Sequence, residues 1–547
     1  MSVTSFFSRR RIALLIALTL VYLYFRGIGD HGLLDPLEGV YASVGADAAF
    51  GGSVLRPQIG GMPCLNRSVG FWWLEALSLN FWGWEEFSVR FWSALSGLGL
   101  AAAAALSVRQ GRARGACLAA VIAGTTVLAF SASQLAAPHA LYACLTALAL
   151  AGFVRARDDR RYAVLAHAAA ALAFVVHGPE GILLPWLCLY LYAVLTDDPK
   201  ALTCPLLYVP GLVLTVLLSV GYLLLLYLEA PMMLTLMLYR VPASLPALSF
   251  ALPFLAFGTL PWTGFLLRAA LVSWPKSGED LLNPEGPRLL LLLGSGVFLL
   301  FGVFMGDALA LVACIAPWAA LTGDCLDEWL EKGSAREAQD AVALNLLCLF
   351  LALVVGMPLV LRAFPALSFA LLSILPWAFF VILFGFASWY YAKTRQMVKL
   401  ARNLSIVALL GLLPLAGVFD LLAENLSLQD AGFILRASLR KEDILAQYAM
   451  NCPSLFFYTL KTPVLVNSPP VPGVAGQKVL NNTALHLLWE DKNRVILLIE
   501  ADQEPLAPLP QEANVLYNEG RIVALSNRNT PLRAAAPHTV STDIPLR

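Results

Sequence analysis

A chain of 547 residues that is 59% hydrophobic and 13% charged carries about half the charge expected of a soluble protein. Its formal net charge of +1 leaves no electrostatic footprint for nucleic acid. Apolar runs of roughly 17–25 residues recur over the first three-quarters of the chain, which predicts a polytopic helical membrane protein and excludes a barrel of short alternating strands.

The chain opens MSVTSFFSRRRIALLIALTLVYLYF. A basic region before an apolar run has the layout of a signal peptide, but Tyr22, Tyr24, Phe25 and Arg26 stand where small residues would mark cleavage. The segment reads as a retained first membrane helix. Twelve more spans follow, thirteen in all, near 11–28, 89–108, 115–131, 134–155, 161–177, 179–196, 206–228, 249–272, 288–305, 307–323, 342–362, 367–391 and 402–422. No internal repeat is visible, which removes one common sign of a secondary transporter.

The first loop, 29–88, is the longest polar interruption of the first half. It carries Asp35, Glu38, Asp47, Arg56, Asn66 and Arg67. Asp35, Glu38 and Tyr41 are spaced by three and share a face if helical. Two close carboxylates repel, so the pair is expected to share a proton near neutrality. The alternative is structural: Asp35 before Pro36 reads as the cap of a helix that starts there, with Glu38 in its first turn. The aromatics Phe71, Trp72, Trp73, Phe81, Trp82 and Trp84 suit a helix lying at headgroup level.

Basic residues sort the loops. Arg9–Arg11, Arg109, Arg112, Arg114, Arg155, Arg157, Arg160, Arg161, Lys200, Arg268, Lys276, Arg288, Lys393, Arg395, Lys399 and Arg402 fall on one side of an odd number of spans. The mixed-charge stretch Asp324–Ala341 belongs there too. This predicts the N-terminus inside and both the first loop and the tail outside. The outer ends of the spans hold a different set: His139, the His177–Glu180 turn, Arg240, Asp307 and Arg362. Ionisable groups there are either interfacial polarity or a site.

Composition changes near Glu424. Residues 1–423 read as the membrane module and 424–547 as a small soluble α/β domain. SLRKEDILAQYAM suggests an amphipathic helix; SLFFYTL, PVLVNS and RVILLIEA suggest strands; VLYNEGRIVAL suggests a hairpin. Nine cysteines form no CxxC, and only Cys64 and Cys452 lie in polar segments, where an oxidising compartment would allow them to pair. His31, His139 and His177 lack metal-ligand spacing, and neither a phosphate loop nor a GxSxG elbow occurs.

The order of motifs resembles the GT-C membrane glycosyltransferases, in particular the aminoarabinose transferase (ArnT) and protein mannosyltransferase-like group. DPLEGVYA matches the acidic D-P-x-E-x-[RH]-Y segment at Asp35, Pro36, Glu38 and Tyr41. LNRSVGFWWLEAL stands for Y-F-E-K-P-P-L-x-Y-W-L, and Glu86, Arg90, Ser93, Ala94 and Leu95 fit E-x-x-x-R-x-x-S-A-L. HGPEGILLPWL and LPWTGFL fit later segments, and NCPSLFFYTLKTPVLV resembles the start of the outer domain. Several positions depart from the pattern: Val40 for Arg or His, Asn66 for Glu, Arg67 for Lys, Ser68-Val69 for two prolines, His177 for Lys, and GDALAL without the K-x-x-Y pair.

The resemblance implies an all-α polytopic GT-C fold of about 13 spans with a C-terminal α/β domain. It implies transfer of a sugar from a polyprenyl-phosphate (undecaprenyl-phosphate) donor to a lipid or protein acceptor at the periplasmic face of a bacterial inner membrane. Asp35 and Glu38 would be the catalytic acids. Tyr41, Asn66, Arg67, His139, His177, Glu180, Arg240, Asp307 and Arg362 would bind substrate. A divalent metal ion stays open as cofactor, as does the oligomeric state. Two rivals stand beside this reading: a catalytically degenerate GT-C protein that binds a lipid-linked glycan, and a lipid or glycan transporter.

Overall fold

The computed structural model describes residues 3–529, apart from 65–68, 239–254, 283–285, 306–308, 364, 366–367, 369–370, 472, 491–492, 503–512 and 520. The first helices are α1 (Val3–Phe25), α2 (Leu37–Ala49), α3 (Val69–Trp82), α4 (Glu86–Ser107), α5 (Ala113–Thr125), α6 (Val127–Gln134), α7 (His139–Ala156), α8 (Tyr162–His177) and α9 (Glu180–Leu195). Long helices follow at Val209–Glu229, Arg288–Met305, Ile315–Lys332, Ala335–Leu351, Leu371–Lys393 and Met397–Leu426. Every expected span coincides with helix among the described residues. Seven helices among these residues are long and apolar enough to cross a membrane, and the bent α5–α6 pair makes an eighth. Four shorter apolar helices, including α8 and α9, accompany them. The chain is a multi-pass membrane protein.

The third expected span is broken rather than continuous: α5 and α6 meet at 58°. Thr126 is extended there, and its hydroxyl donates to the Ala123 carbonyl. The N–H of Val127 turns away to the Leu260 carbonyl at 3.0 Å, so the helical ladder cannot run through.

Two compact units divide the chain. The larger holds Met1–Ile28 and Arg90–Val418, and the smaller holds Gly29–Val89 and Phe419–Arg547. The larger unit packs through small residues. A Cβ on Gly152 would lie 2.6 Å from the Ala166 N–H, and α7 and α8 are lined by buried alanines. At the basic ends of its helices an ion network forms. Arg288 binds the fully buried Asp324 at 2.8 Å and also binds Glu328, while Arg112 lies 3.5 Å from both Asp324 and Asp327. The mixed charges expected of Asp324–Ala341 are therefore largely helical acids that neutralise the basic fringe.

In the smaller unit, β1 (Gln58–Ile59) and β2 (Met62–Pro63) form a short hairpin within the first loop. The C-terminal residues build a six-stranded sheet from β3 (Ile444–Tyr448), β4 (Val464–Val466), β5 (Val479–Leu480), β6 (Val495–Glu500), β7 (Asn514–Glu519) and β8 (Ile522–Ser526), in the order β5-β4-β3-β6-β8-β7. β3 runs parallel to β4 and β6, while β8 is antiparallel to β6 and β7. Both faces are covered. Leu445, Ile496 and Leu498 pack with helix Gln429–Ser438 on one side, and Ala446, Leu497 and Ile499 with helix Asn482–Trp489 on the other.

Two expectations reverse here. Within SLRKEDILAQYAM, residues Ile444–Tyr448 form the central strand, not a helix. Covered on both faces, it shows no alternation that would mark it as a strand. SLFFYTL is a helix, Ser454–Thr459, not a strand; Pro453 precedes it and all six of its residues are buried. PVLVNS, RVILLIEA and the hairpin are strands as expected.

Candidate active site

Asp35 is held by a residue far away in sequence. Its Oδ1 accepts from the Ser454 N–H at 3.0 Å, and its Oδ2 accepts from the Ser454 hydroxyl. It does not cap α2: Pro36 precedes that helix, and no side chain caps it. The sequence allowed the cap because Asp before Pro is the usual pattern, but Ser454 offers two donors to the same carboxylate. A Cβ on Gly39 would stand 2.6 Å from the Ser454 nitrogen, so glycine there permits the approach. Asp35 as a residue is half-buried, but its carboxylate is enclosed. Burial pushes it up to about 7, against the Ser454 bonds that lower it and with the Glu38 charge that raises it.

The place within the sheet has a chemical logic. β3 leads to β4 on one side, and β6 lies on the other, so the strand order reverses at β3. Ligands of doubly wound sheets sit outside the carboxyl ends of strands at such a point. Cys452–Ser454 follow β3 there, and the carboxylate of Asp35 occupies that position, with the Cys452 thiol against it.

Glu38 is fully buried, and its Oε2 accepts from the Leu34 N–H at 2.8 Å. It thus ties the chain entering α2 back onto the first turn of that helix. Tyr41, on the same face, packs edge-on to Phe71 at 6.0 Å and beside Trp72 at 6.4 Å. Next to them is an acid that the sequence reading passed over. Glu75 of α3 is fully buried, and neither of its oxygens has a hydrogen-bond partner. Burial, then the Glu38 charge, raises it well above the ordinary carboxylate range. Gly45 admits it: a Cβ there would be 2.8 Å from the Glu75 Cβ. An acid inside the aromatic run FWWLEAL was the available signal. The aromatic run itself splits, with Phe71 and Trp72 buried and Phe81 76% exposed.

Other motif residues of this unit hold it together. Glu86 accepts from Tyr458 at 3.0 Å and from Gln429 at 2.7 Å, while Trp84 donates to the Phe457 carbonyl. His31 lies 3.5 Å from Asp420 and stacks on Phe419. Cys64 and Cys452 are free thiols, not a disulfide. Cys64 is fixed by a backbone bridge to Val474, and Cys452 faces Asp35.

In the larger unit, His177 ends α8 and Glu180 starts α9, and the Gly178 turn between them has φ 124°. Nδ1 of His177 is 2.6 Å from Glu180 Oε1, and its ring stacks on Tyr142 at 4.3 Å. His139, buried, opens the helix that carries Tyr142 one turn later. Three expected residues therefore gather here. Arg362 is exposed on helix Met357–Ala363. Asn66, Arg67, Arg240 and Asp307 lie outside the described residues. Arg90 of the E-x-x-x-R segment is fully buried and donates to the Ile28 carbonyl at 2.8 Å. Among the described residues no three His, Cys, Asp or Glu side chains converge as metal ligands.

The family model of dolichyl-phosphate-mannose-protein mannosyltransferases matches residues 66–224. No curated protein matches the chain by sequence. Among solved structures, ArnT from Cupriavidus metallidurans in the apo state superposes with a TM-score of 0.75 at 18% identity, over 95% of this chain and 98% of that one. The chain has the ArnT-like GT-C fold. The same ArnT bound to undecaprenyl phosphate gives 0.71 at 18% identity, over 98% of this chain and 100% of that one. The archaeal oligosaccharyltransferase AglB from Archaeoglobus fulgidus, in complex with an inhibitory peptide and a dolichol-phosphate, gives 0.51 at 12% identity, over 96% of this chain and 75% of that one. The ArnT-like fold thus covers both compact units, including the sheet that receives Asp35.

Proposed function

We propose that this ArnT-like chain is a membrane glycosyltransferase that takes a sugar from a polyprenyl-phosphate donor. The observation that carries the reading is the ArnT-like fold over 95% of the chain, with an acid of the first loop enclosed at the switch point of its sheet. The acceptor would be a lipid or a protein, and the site would face the periplasm of a bacterial inner membrane, with the N-terminus cytoplasmic.

In this reading the acceptor oxygen attacks the anomeric carbon, and its proton passes to a carboxylate of the Asp35–Glu38 pair. The bond from carbon to phosphate oxygen breaks, and the lipid phosphate leaves with the electron pair. Developing negative charge on that phosphate needs cations, for which Arg67, Arg240, Arg362 and protonated His177 are the candidates. Glu180 Oε1 lies 2.6 Å from the imidazole Nδ1 of His177. Tyr41, Asn66, His139 and Asp307 complete the proposed substrate contacts. The apolar helices of the larger unit would hold the prenyl chain. A divalent ion, if used, would neutralise the same phosphate.

The departures at Val40 and Asn66 favour a second reading, a GT-C protein that binds a lipid-linked glycan without transferring it. Incubation of the reconstituted protein with radiolabelled polyprenyl-phosphate sugars decides between them. Transfer with release of lipid phosphate is expected, and Asp35→Asn or Glu38→Gln is expected to lower the rate by about 10²–10⁴-fold for loss of a general base. Tight binding of the donor with no transfer would assign the second reading.

A further inference from the structure

We propose that Ser454 is a positioning residue of the reaction, holding both oxygens of the Asp35 carboxylate so that the C-terminal sheet fixes where that acid points. The inference rests on the reading of Asp35 as part of the transfer site. Three observations carry it. Ser454 is fully buried and gives two donors, N–H and hydroxyl, to one carboxylate. Two bonds to two oxygens fix the plane of the carboxylate as well as its place, which a single bond would not. The Ser454 segment is itself pinned: the Ser43 hydroxyl of α2 donates to the Pro453 carbonyl at 2.8 Å. The hydroxyl of Tyr458, on the same short helix, accepts from the Leu33 N–H at 2.9 Å and donates to Glu86. The loop carrying Asp35 is thereby clamped on both sides of that residue.

The chemistry has a direction. A base must be ionised, and enclosure works against ionisation of Asp35. The Glu38 charge also works against it, while the Cys452 thiol, bonded to the same carboxylate, works weakly for it. The two Ser454 donors favour the anion. Removing the Ser454 hydroxyl leaves that carboxylate its Ser454 N–H and the Cys452 thiol, and displaces the proton equilibrium toward the neutral acid.

The test uses the full-length protein in lipid. An infrared titration follows the protonated-carboxyl band that Asp35→Asn removes. In Ser454→Ala the midpoint of that band is expected to rise by about one pH unit, the size of one charged hydrogen bond. Ser454→Thr, which keeps the hydroxyl, is expected to return it toward the parental value. In the transfer assay the ascending limb of the pH profile should move with the band. At pH 7 kcat should fall about fivefold, the loss of ionised Asp35 when a midpoint near 7 rises by one unit, with the donor KM unchanged. In the Asp35→Asn background, Ser454→Ala should add no further loss, since it acts through that acid.

A band midpoint that stays put in a folded Ser454→Ala protein overturns the clamp. So does a further loss of rate in the double variant. No transfer by the parental protein with any polyprenyl-phosphate sugar overturns the functional reading, and with it any role of Ser454 in a reaction, even where the band still moves.

Discussion

Three buried carboxylates in one small unit have three different fates, decided by their donors. Asp35 has two donors from Ser454, and Glu38 has the Leu34 N–H. Glu75 has none within hydrogen-bond reach. A carboxyl raised by burial stays protonated in the folded state while the unfolded chain releases its proton near pH 4.5. Folding stability is then full below that value and falls as pH rises toward the folded-state value, by about 1.4 kcal/mol per pH unit for one proton. Glu75→Gln removes the proton and keeps the shape. Its thermal unfolding temperature is expected to match the parent at pH 4 and to exceed it increasingly from pH 5 to pH 8. Parallel curves across that window would mean that Glu75 is ionised and paired. The acids of DPLEGVYA stand out as a candidate pair from their spacing alone. Ser454 does not, because its bond to Asp35 spans 419 positions and no local pattern announces it.

Elements were read well where one physical signal dominated. A run of apolar residues as long as a bilayer is thick has few interpretations, so helices stand among the described residues where spans were expected, and seven or eight of them are long and apolar enough to cross. The signal failed where two periods compete. ILAQY, sealed on both faces, and SLFFYT, buried all round, offer no polar side to time the repeat. The ion network at the basic helix ends shows a further limit. Charge signs predict a side but not the pairing. Asp324 is fully buried between Arg288 and Arg112, whereas Lys332 is 67% exposed beside Glu328. Asp324→Ala removes the buried carboxylate that Arg288 and Arg112 share, leaving Arg288 to Glu328 and Arg112 to Asp327, and is expected to destabilise the larger unit by about 3 kcal/mol. Lys332→Ala should stay within about 0.5 kcal/mol. Thermal unfolding in detergent compares the two, and equal shifts would show that the network is solvated.

At the scale of the molecule the proposed orientation is open to labelling. Cysteines placed at the exposed positions Ser53 and Lys478 should react with an impermeant thiol reagent added from outside, and one at the exposed Gln110 should not. Reaction at Gln110 alone would invert the orientation. The sequence placed the first loop and the tail on one side, but it did not show them as one compact unit made of Gly29–Val89 and Phe419–Arg547. That discontinuity bears on biosynthesis. The ribosome delivers the loop early and Ser454, Tyr458 and Gln429 only after the whole of residues 90–418. Throughout that interval Asp35 lacks its Ser454 donors, and Glu86 lacks Tyr458 and Gln429. A nascent chain halted by a premature stop codon before Phe419 would carry most of its hydrophobic helices, and the insertion machinery would have little reason to reject it. Its loop would nonetheless lack every C-terminal donor to those acids. The geometry of the loop acids is thereby tied to the completion of translation.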